Sequence, residues 1–359
     1  MRLIEEHTIE DIALGAAVLG TGGGGDPYIG MLMARQAIRD YGPVELYTLD
    51  EFEDEDLIVP TAMMGAPTVM VEKMPSGDDI VNAFQAVGRY LGKPIRATMS
   101  IEAGGLNSVV PIFLAARLRL PMVDCDGMGR AFPELQMVTH TIYGISSTPF
   151  AMSDERGNTV LMETIGNSWT ELFARSVTVN MGAMAMIALY GATVRQLKEA
   201  AIPGTISKAE RIGRVIRSAR VNEENPVDTV REAVGGYLVF KGKIHDVERR
   251  TEGGFARGDA HLEGVEDYAG QQLLLSFQNE HLAVRIDGEF RVTVPDLIVL
   301  LDIDTGEPVT TEAMRYGFRV AVIAIPCAAK WRTPEGLALV GPRYFGYQVD
   351  YLPVEERYG

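Results

Sequence analysis

The sequence predicts an α/β fold: an amino-terminal α/β domain with a βαβ unit, a helical connection and a β-rich carboxy-terminal domain. Three observations predict it. Short β-type runs alternate with helical patterns in the first half, helical patterns then follow one another, and beyond Gly235 short β-type runs are separated by glycine. A length of 359 residues also favours two domains. We therefore predict domains at 1–167 and 235–359 and a helical connecting segment at 168–234.

Helical spacing of apolar residues begins close to the amino terminus. Thr8, with Asp11 three residues later, resembles a capping box, and apolar residues follow at helical spacing until Gly20. Asp26 is predicted as the N-cap of a second helix, because Pro27 suits a first helical turn. The next predicted elements are strands at Leu57–Pro60 and Thr68–Glu72, a helix at Asp78–Leu91 and a strand at Ile95–Ile101.

The segment from Ile95 to Asp124 has the size and pattern of a right-handed βαβ crossover, with an amphipathic helix at Val109–Leu118. Its two strands should therefore be parallel neighbours. Their carboxyl ends open into the loops Glu102–Asn107 and Asp124–Glu134, and ligands in open α/β sheets bind at that edge. We predict that both loops face one crevice, and that this crevice is the active site.

The later elements follow from the same patterns. Asp154–Gly157 is typical of a hairpin turn. The predicted helices of the connection occupy Ser168–Tyr190, Val194–Ala201 and Lys208–Val221. The predicted strands of the second domain occupy Tyr237–Lys241, Lys243–Glu248, Gln272–Gln278, Leu282–Ile286, Leu297–Leu301 and Phe318–Ile325.

Charge and cysteine content exclude several classes of function. The formal net charge is −16 and there is no Lys/Arg-rich run, so neither nucleic acid nor an anionic membrane is expected as a partner. The two cysteines, Cys125 and Cys327, cannot form a disulfide scaffold, which favours the reducing cytoplasm. The amino terminus carries charge where a signal peptide would need an apolar core, and no uninterrupted apolar run is long enough to span a bilayer, so we predict neither export nor membrane insertion. A small-molecule substrate fits better, and the apolar segment Trp169–Tyr190 with a Met-rich composition predicts a homo-oligomer.

The glycine run at Gly20–Gly25 resembles a nucleotide-binding loop only superficially. A dinucleotide fingerprint follows a strand, whereas a helix precedes this run, and no Gly-Lys-Ser/Thr follows it. We interpret its backbone N–H groups, with the start of the next helix, as a site for a carboxylate or another anionic substrate group. The candidate substrate-binding residues here are Gly22, Gly23, Gly24, Gly25 and Asp26.

Carboxylates and their neighbours supply the candidate chemistry of the crevice. Mutual repulsion and desolvation would raise the pKa of at least one carboxyl into a range useful for proton transfer, and such a set can also hold a divalent cation. Alternatively, Asp124 and Asp126 cap the following turn. Arg130 is predicted as a counter-charge or an anion clamp. The candidate catalytic carboxylates are Glu102, Asp124, Asp126 and Glu134, and the other candidate substrate-binding residues are Asn107, Arg130, Asn279 and Glu280.

Cys125 has two interpretations, a buried small hydrophobe or a nucleophile activated in a polar loop, and the residues alone favour the first. Cys327 follows an apolar run and has the same two interpretations. The five histidines show no HxH or HxxxH spacing, so a histidine-rich metal site is not supported. His140, six residues after Glu134, is the histidine best placed to reach the crevice.

Several segments together resemble the S-methyl thiohydantoin desulfurase family across nearly the whole chain. They are Gly20–Pro27, Met64–Pro67, Glu102–Asn107, Asp124–Glu134 and Trp331–Gly336, of which Asp124–Glu134 is the most specific. The resemblance implies an α/β amino-terminal and a β-rich carboxy-terminal domain, in agreement with the patterns above. It also implies hydrolytic loss of methanethiol from an S-methyl thiohydantoin ring that carries a propionate, giving the hydantoin, as in ergothioneine-type sulfur catabolism.

Two mechanisms fit the implied reaction. In the first, which we favour for this chain, Cys125 attacks the ring carbon that bears sulfur, and a carboxylate-activated water hydrolyses the adduct. In the second, a carboxylate or a carboxylate-bound metal activates water directly, and Cys125 only packs. In both, the glycine loop or Arg130 holds the propionate. No cofactor is firmly predicted, although a divalent metal such as zinc is compatible with the residues.

Two rival functions stay open at this level. One is hydrolysis of another cyclic amide, such as a hydantoin or lactam, by metal-bound water. The other is a noncatalytic subunit that acts beside a hydantoinase-like partner, with purely structural carboxylates. Stoichiometric metal would favour the first rival, and binding without turnover would favour the second.

Overall fold

The computed structural model of the protein describes residues 1–65 and 75–359, so the predicted strand at Thr68–Glu72 lies outside the described residues. The helices are α1 (Ile9–Leu19), α2 (Tyr28–Tyr41), α3 (Asp78–Leu91), α4 (Val110–Leu118), α5 (Thr139–Ile142), α6 (Asn167–Asn180), α7 (Val194–Ala200), α8 (Thr205–Val221), α9 (Pro226–Val234), α10 (Pro334–Val340) and α11 (Val354–Tyr358). Together with the strands given next, these helices confirm the predicted α/β fold with a β-rich second half.

Strands form three sheets within the described ranges. The strands of the first half are β1 (Arg2–Ile4), β2 (Val44–Tyr47), β3 (Leu57–Gly65), β4 (Ile95–Ser100), β5 (Met122–Val123), β6 (Cys125–Asp126), β7 (Phe150–Ser153), β8 (Thr159–Met162), β9 (Met184–Ala188), β10 (Ala192–Thr193) and β11 (Ile202–Pro203). Those of the second half are β12 (Tyr237–Glu252), β13 (Phe255–Gly264), β14 (Gln272–Gln278), β15 (Glu280–Ile286), β16 (Glu289–Thr293), β17 (Leu297–Asp302) and β18 (Arg319–Ile325).

The first sheet has the strand order β1-β2-β5-β4-β3-β9-β7-β8, with β10 on β3. Its centre is parallel, because β2, β5, β4 and β3 run in one direction, whereas β9, β7 and β8 add antiparallel strands. Thr98 of β4 faces Met122 of β5 in parallel register, which confirms the predicted βαβ crossover. The carboxyl ends of β3 and β4 therefore meet at one edge of the sheet.

The sequence assigned Ser168–Tyr190 to one helix, which is wrong. Helix α6 ends at Asn180, and Met184–Ala188 forms β9 between β3 and β7. The interruption is a turn in which Gly182 has φ +83° and Ala183 has φ +64°, values that a right-handed helix cannot contain. A short apolar run fits a buried helix and a buried strand equally well, so periodicity alone could not separate them.

Helix beginnings differ in detail from the predictions. The capping box near the amino terminus pairs Glu5 with Thr8 rather than Thr8 with Asp11. Helix α2 begins one residue later than predicted, at Tyr28, whose N–H donates to the Asp26 carboxylate at 2.9 Å. Gly15 lets α1 and α8 cross closely, because a Cβ at this position would lie 1.8 Å from the Ala209 carbonyl oxygen.

The carboxy-terminal sheet is antiparallel, with the order β16-β15-β14-β13-β12-β18-β17. The two predicted strands at Tyr237–Lys241 and Lys243–Glu248 are one strand, β12, whose register shifts at two bulges. Strands β13 and β16 were not predicted. Buried residues from both halves pack in one hydrophobic cluster, so the two domains share a core. None of the helices described combines the length and the apolar character that a bilayer span requires.

Candidate active site

A pocket with a cavity volume of about 70 Å³, partly open to solvent, lies at the predicted edge of the first sheet, where β3 and β4 end. The tip between β14 and β15 and the side chain of Arg175 on α6 complete its walls. The polar lining residues are Glu102, Asn107, Glu134, Arg175, Asn279 and Glu280, and the apolar ones are Ala62, Met63, Met64, Ile101, Met128, Phe132, Pro133, Leu135 and Ile187, with Gly24 and Gly65.

Glu102 is held in this pocket by a chain of two hydrogen-bonding groups. The Asn107 side chain donates Nδ2–H to Glu102 Oε1 at 2.6 Å. The same amide is fixed by the backbone of Met63 on β3, because Met63 N–H donates to Asn107 Oδ1 at 2.7 Å and Nδ2 reaches the Met63 carbonyl at 3.2 Å. The strand end therefore orients Asn107, and Asn107 orients the carboxyl.

Burial changes the acidity of Glu102, which is 5% exposed. Desolvation raises the pKa of Glu102 to about 7, repulsion from Asp126 adds to the rise, and hydrogen bonds from Asn107 and the Phe132 backbone oppose it. A carboxyl with a pKa near neutrality exists in both protonation states at neutral pH, so Glu102 can take up a proton and release it again.

Glu280 also lines the pocket, at the start of β15, and is 3% exposed. Its backbone follows Asn279, which has φ +55° and whose Oδ1 accepts the Ala256 N–H at 2.9 Å. Desolvation raises the pKa of Glu280 well above its ordinary value, and repulsion from Glu102 adds to this effect. Two buried carboxyls with raised pKa values thus share the pocket.

The glycine run makes room for β15. A Cβ at Gly23 would lie 2.0 Å from Glu280 Oε1, and one at Gly22 would lie 2.2 Å from the His281 imidazole. The His281 N–H also donates to the Thr21 carbonyl at 2.8 Å. The run is therefore a packing surface between domains.

The other glycines of the run pack against the first predicted loop. Gly24 lines the pocket, whereas the Gly25 carbonyl lies 2.1 Å from the position of a Cβ at Gly105. Asp26 is exposed and binds the first turn of α2. The predicted anion site thus brings only Gly24 to the pocket.

Asp124 does not lie in the pocket. Its Oδ1 accepts the N–H groups of Ile206 at 2.9 Å and Ser207 at 3.1 Å, and its Oδ2 accepts the Ser207 hydroxyl. It therefore caps the first turn of α8 rather than the turn that follows it in the chain, and this position speaks against a catalytic role.

Asp126 is fully buried behind the pocket wall. Its Oδ2 accepts the N–H groups of Ala103 at 2.6 Å, Met128 at 3.0 Å and Gly129 at 2.7 Å. This single oxygen ties the loop of Glu102 to the loop that follows β6. Desolvation raises its pKa to about 7, but its position makes it a support for Glu102 rather than a group that reaches substrate.

The position of Cys125 contradicts its predicted role as a nucleophile. Because neighbouring side chains of β6 alternate, it points away from Asp126 into the hydrophobic core, is fully buried, and has Sγ 3.7 Å from Met99 Sδ. Burial raises the pKa of its thiol well above the ordinary value, which disfavours the nucleophilic thiolate.

His140 is also buried, beside the ring of Tyr190, and lies outside the described lining of the pocket.

Arg130 is fully buried, and its donors are taken by protein oxygens. Nε donates to Ala131 O, Nη1 to Pro295 O and Asp296 O, and Nη2 to Thr21 Oγ1 and His281 O, at 2.8 to 3.1 Å. The guanidinium also stacks on Phe132 at 4.4 Å. It therefore joins the two domains, and the predicted anion clamp is wrong because no N–H is left for substrate.

Glu134 reaches the pocket from the predicted second loop, and Tyr344 donates its hydroxyl to Glu134 Oε2 at 2.6 Å.

Arg175 of α6 also lines the pocket, although the sequence did not predict it as a site residue. It donates Nε–H to Glu171 at 2.7 Å and Nη2–H to Pro133 O at 3.3 Å, and it lies 4.4 Å over the ring of Phe255. The signal for it was present in the sequence as a charge that interrupts the apolar segment Trp169–Tyr190.

Metal ligands are not grouped in the described part of the chain. Within residues 1–65 and 75–359, His, Cys, Asp and Glu side chains form no set of three or more that could hold a metal ion. The compatibility with zinc stays a prediction from the sequence.

Comparisons with known proteins agree with this architecture. Residues 7–164 match the S-Me-THD-like N-terminal domain and residues 165–354 match the S-Me-THD-like C-terminal domain. A crystal structure of a protein from Chromobacterium violaceum superposes with a TM-score of 0.83 at 25% identity, covering 99% of this chain and 100% of that one. A comparison with curated proteins gave no match. Because the two matched domains account for nearly its whole length, the chain belongs to the S-Me-THD-like family.

Proposed function

We propose that the protein is a hydrolase that removes methanethiol from an S-methyl thiohydantoin and leaves the hydantoin, with Glu102 as the general base. The observation that carries this proposal is a buried carboxyl with a pKa of about 7, oriented by Asn107 in a small pocket with apolar walls. Family membership supports the substrate class.

The walls suit a small ring that carries an apolar methylthio group. Met63, Met64, Phe132 and Ile187 line the space around Glu102, and soft methionine sulfur packs well against a methylthio group and against aromatic edges. Exclusion of water by such walls strengthens the electrostatic effect of the few polar groups that remain.

In the proposed reaction Glu102 takes a proton from water as the water oxygen attacks the ring carbon that bears sulfur. The carbon–sulfur bond then breaks, and the departing methanethiolate takes the proton from Glu102. The carboxylate is thereby restored. No covalent bond to the protein forms, in contrast to the cysteine mechanism favoured by the sequence, because Cys125 points into the core.

Arg175 replaces Arg130 as the group proposed to hold the substrate's propionate. It lines the pocket, and its Nη1 makes no hydrogen bond to residues 1–65 or 75–359. A guanidinium with a free edge can bind a carboxylate through charge-assisted hydrogen bonds. The glycine run contributes only the wall at Gly24.

The test is release of methanethiol from S-methyl thiohydantoin propionate, followed from pH 5 to 9. Because the base must be ionised, we expect kcat/KM to rise with pH and to level off above about 7, the pKa of Glu102. If no methanethiol is released at any pH between 5 and 9, the proposal is refuted. If the protein instead opens the ring of a hydantoin, the result would support the alternative function, hydrolysis of another cyclic amide.

A further inference from the structure

We propose that Glu280 acts as a neutral carboxylic acid that donates its proton to the ring nitrogen of the substrate while Glu102 activates water. This inference rests on the proposed hydrolase function and assigns a second catalytic residue to the same pocket. It gives the two carboxyls different tasks, which the sequence could not distinguish.

The first support is the position of the side chain. Glu280 lines the pocket and is 3% exposed, yet its Oε2 has no hydrogen-bond partner among the described residues. Its other oxygen lies against Gly23, where no side chain can come between them. A buried polar atom without a partner is costly, and in a residue that lines the pocket it is explained most simply by a ligand that completes it.

The second support is that no residue within 1–65 or 75–359 places a compensating charge in hydrogen-bond contact with Glu280. Arg130 is the cation that acts on Glu280, but its hydrogen bonds go to four carbonyl oxygens and to Thr21. The other charged groups of the described residues that act most strongly on Glu280 are the carboxyls of Glu102 and Glu312, and both repel a negative charge. A buried carboxylate in these surroundings would be unpaired, so the neutral acid is the stable form.

The third support is mechanical. The N–H of His281 binds the Thr21 carbonyl at 2.8 Å, and Arg130 binds the His281 carbonyl at 3.1 Å. The start of β15 is thus fixed to the glycine run and to the loop of Arg130 through the residue that follows Glu280. A proton donor must be held in place if it is to contribute to the rate, and this anchoring provides it.

The proton balance closes. Water loses one proton to Glu102 and its oxygen bonds to the ring carbon, while Glu280 protonates the ring nitrogen as the carbon–nitrogen double bond opens. When the carbon–sulfur bond breaks, the new hydroxyl returns a proton to Glu280 and becomes the carbonyl, and methanethiolate takes the proton from Glu102. The products are the hydantoin, with N–H and C=O, and methanethiol, and both carboxyls are restored.

The rate test compares wild type with Glu280→Gln and Glu280→Asp from pH 5 to 10. Wild type should lose activity at high pH as Glu280 ionises, giving a second, alkaline limb in kcat/KM. Glu280→Gln should be about 10²-fold slower and lack that limb, because an amide cannot transfer the proton. Glu280→Asp should be slow but keep the limb. A Glu280→Gln profile with the wild-type limb would overturn the assignment and leave the hydrolase proposal intact.

A stability test works without turnover. A carboxyl whose folded pKa exceeds its ordinary value of 4.5 stabilises the fold fully below that value and loses this contribution as pH rises through the folded pKa. Glu280→Gln removes the loss, so its Tm should exceed that of wild type by about 2 °C at pH 8, and the difference should shrink toward pH 5. A lower Tm than wild type at pH 8 would show an ionised Glu280 and overturn the proposal.

Glu312→Gln is the matched control, since Glu312 also faces Glu280 but lies outside the described lining of the pocket. Removing its repulsion should move the alkaline limb to lower pH without abolishing it. If wild type fails to release methanethiol, the hydrolase proposal fails, and the Tm comparison still decides whether Glu280 is neutral. A limb that Glu312→Gln abolishes would assign the acid to Glu312 instead.

Discussion

The loop Glu102–Asn107 and the segment Asp124–Asp126 follow neighbouring parallel strands, and both are rich in groups that can carry chemistry, yet only the first reaches the pocket. Asp124 and Asp126 accept five backbone N–H groups between them, and Cys125 faces the core. Glu102 has its main contact with one side-chain amide and faces open volume. A carboxylate surrounded by backbone donors shapes the fold, whereas one with few donors in a cavity keeps its reactivity.

Among the variants that test this contrast, Glu102→Gln is expected to lower kcat the most. The amide keeps the size of the side chain but cannot accept a proton from water, so kcat should fall by about 10²–10⁴-fold. Initial rates of methanethiol release measure it, with the Tm as a check on folding. Retention of wild-type kcat would move the base elsewhere and remove the distinction between the two segments.

Gly23→Ala tests whether the glycine run positions Glu280. The new Cβ would lie 2.0 Å from Glu280 Oε1, so the carboxyl must shift, and we expect kcat/KM to fall by about 10²-fold. Gly166→Ala is the matched control, because its Cβ meets open space and its backbone is extended at φ 177°. Equal activity of the two variants would contradict the close packing described here.

Arg175→Gln should act on binding rather than on chemistry. Loss of a charge-assisted contact to the propionate costs about 1.5–3 kcal/mol, which corresponds to a rise in KM of about 10- to 100-fold. An S-methyl thiohydantoin without a carboxylate should show no difference between variant and wild type. A similar KM rise for both substrates would mean that Arg175 supports the pocket wall through Glu171 and Pro133 instead.

Asp124→Asn should have the smallest effect on turnover. Replacing one cap oxygen by an amide weakens the first turn of α8 and should lower the free energy of unfolding by about 1 kcal/mol. Denaturant unfolding measures this loss, and kcat should stay at the wild-type level. A large fall in kcat at unchanged stability would return Asp124 to the catalytic set.

Much of the fold could be predicted from local patterns. The helix at Asp78–Leu91 and the strand at Gln272–Gln278 have the predicted bounds, and the βαβ unit placed the predicted crevice at the sheet edge where the pocket lies. The strand at Met184–Ala188 could not be predicted, because its partners β3 and β7 are distant in sequence and its apolar run has no diagnostic period.

The candidate site could be predicted only in part. Glu102, Asn107, Glu134 and Glu280 were named from sequence and line the pocket. The sequence could not show that Arg130 would use its donors within the protein or that Arg175 would turn inward from α6. Both outcomes depend on how the two domains pack, which local periodicity does not encode.

The most direct test of the account measures methanethiol release by Glu102→Gln and Cys125→Ala side by side, at pH 8 and after removal of metal by chelation. We predict that Cys125→Ala retains the wild-type kcat, with a loss of stability of about 1 kcal/mol, and that Glu102→Gln is nearly inactive. An inactive Cys125→Ala that is folded, beside an active Glu102→Gln, would contradict the account and restore the covalent cysteine mechanism.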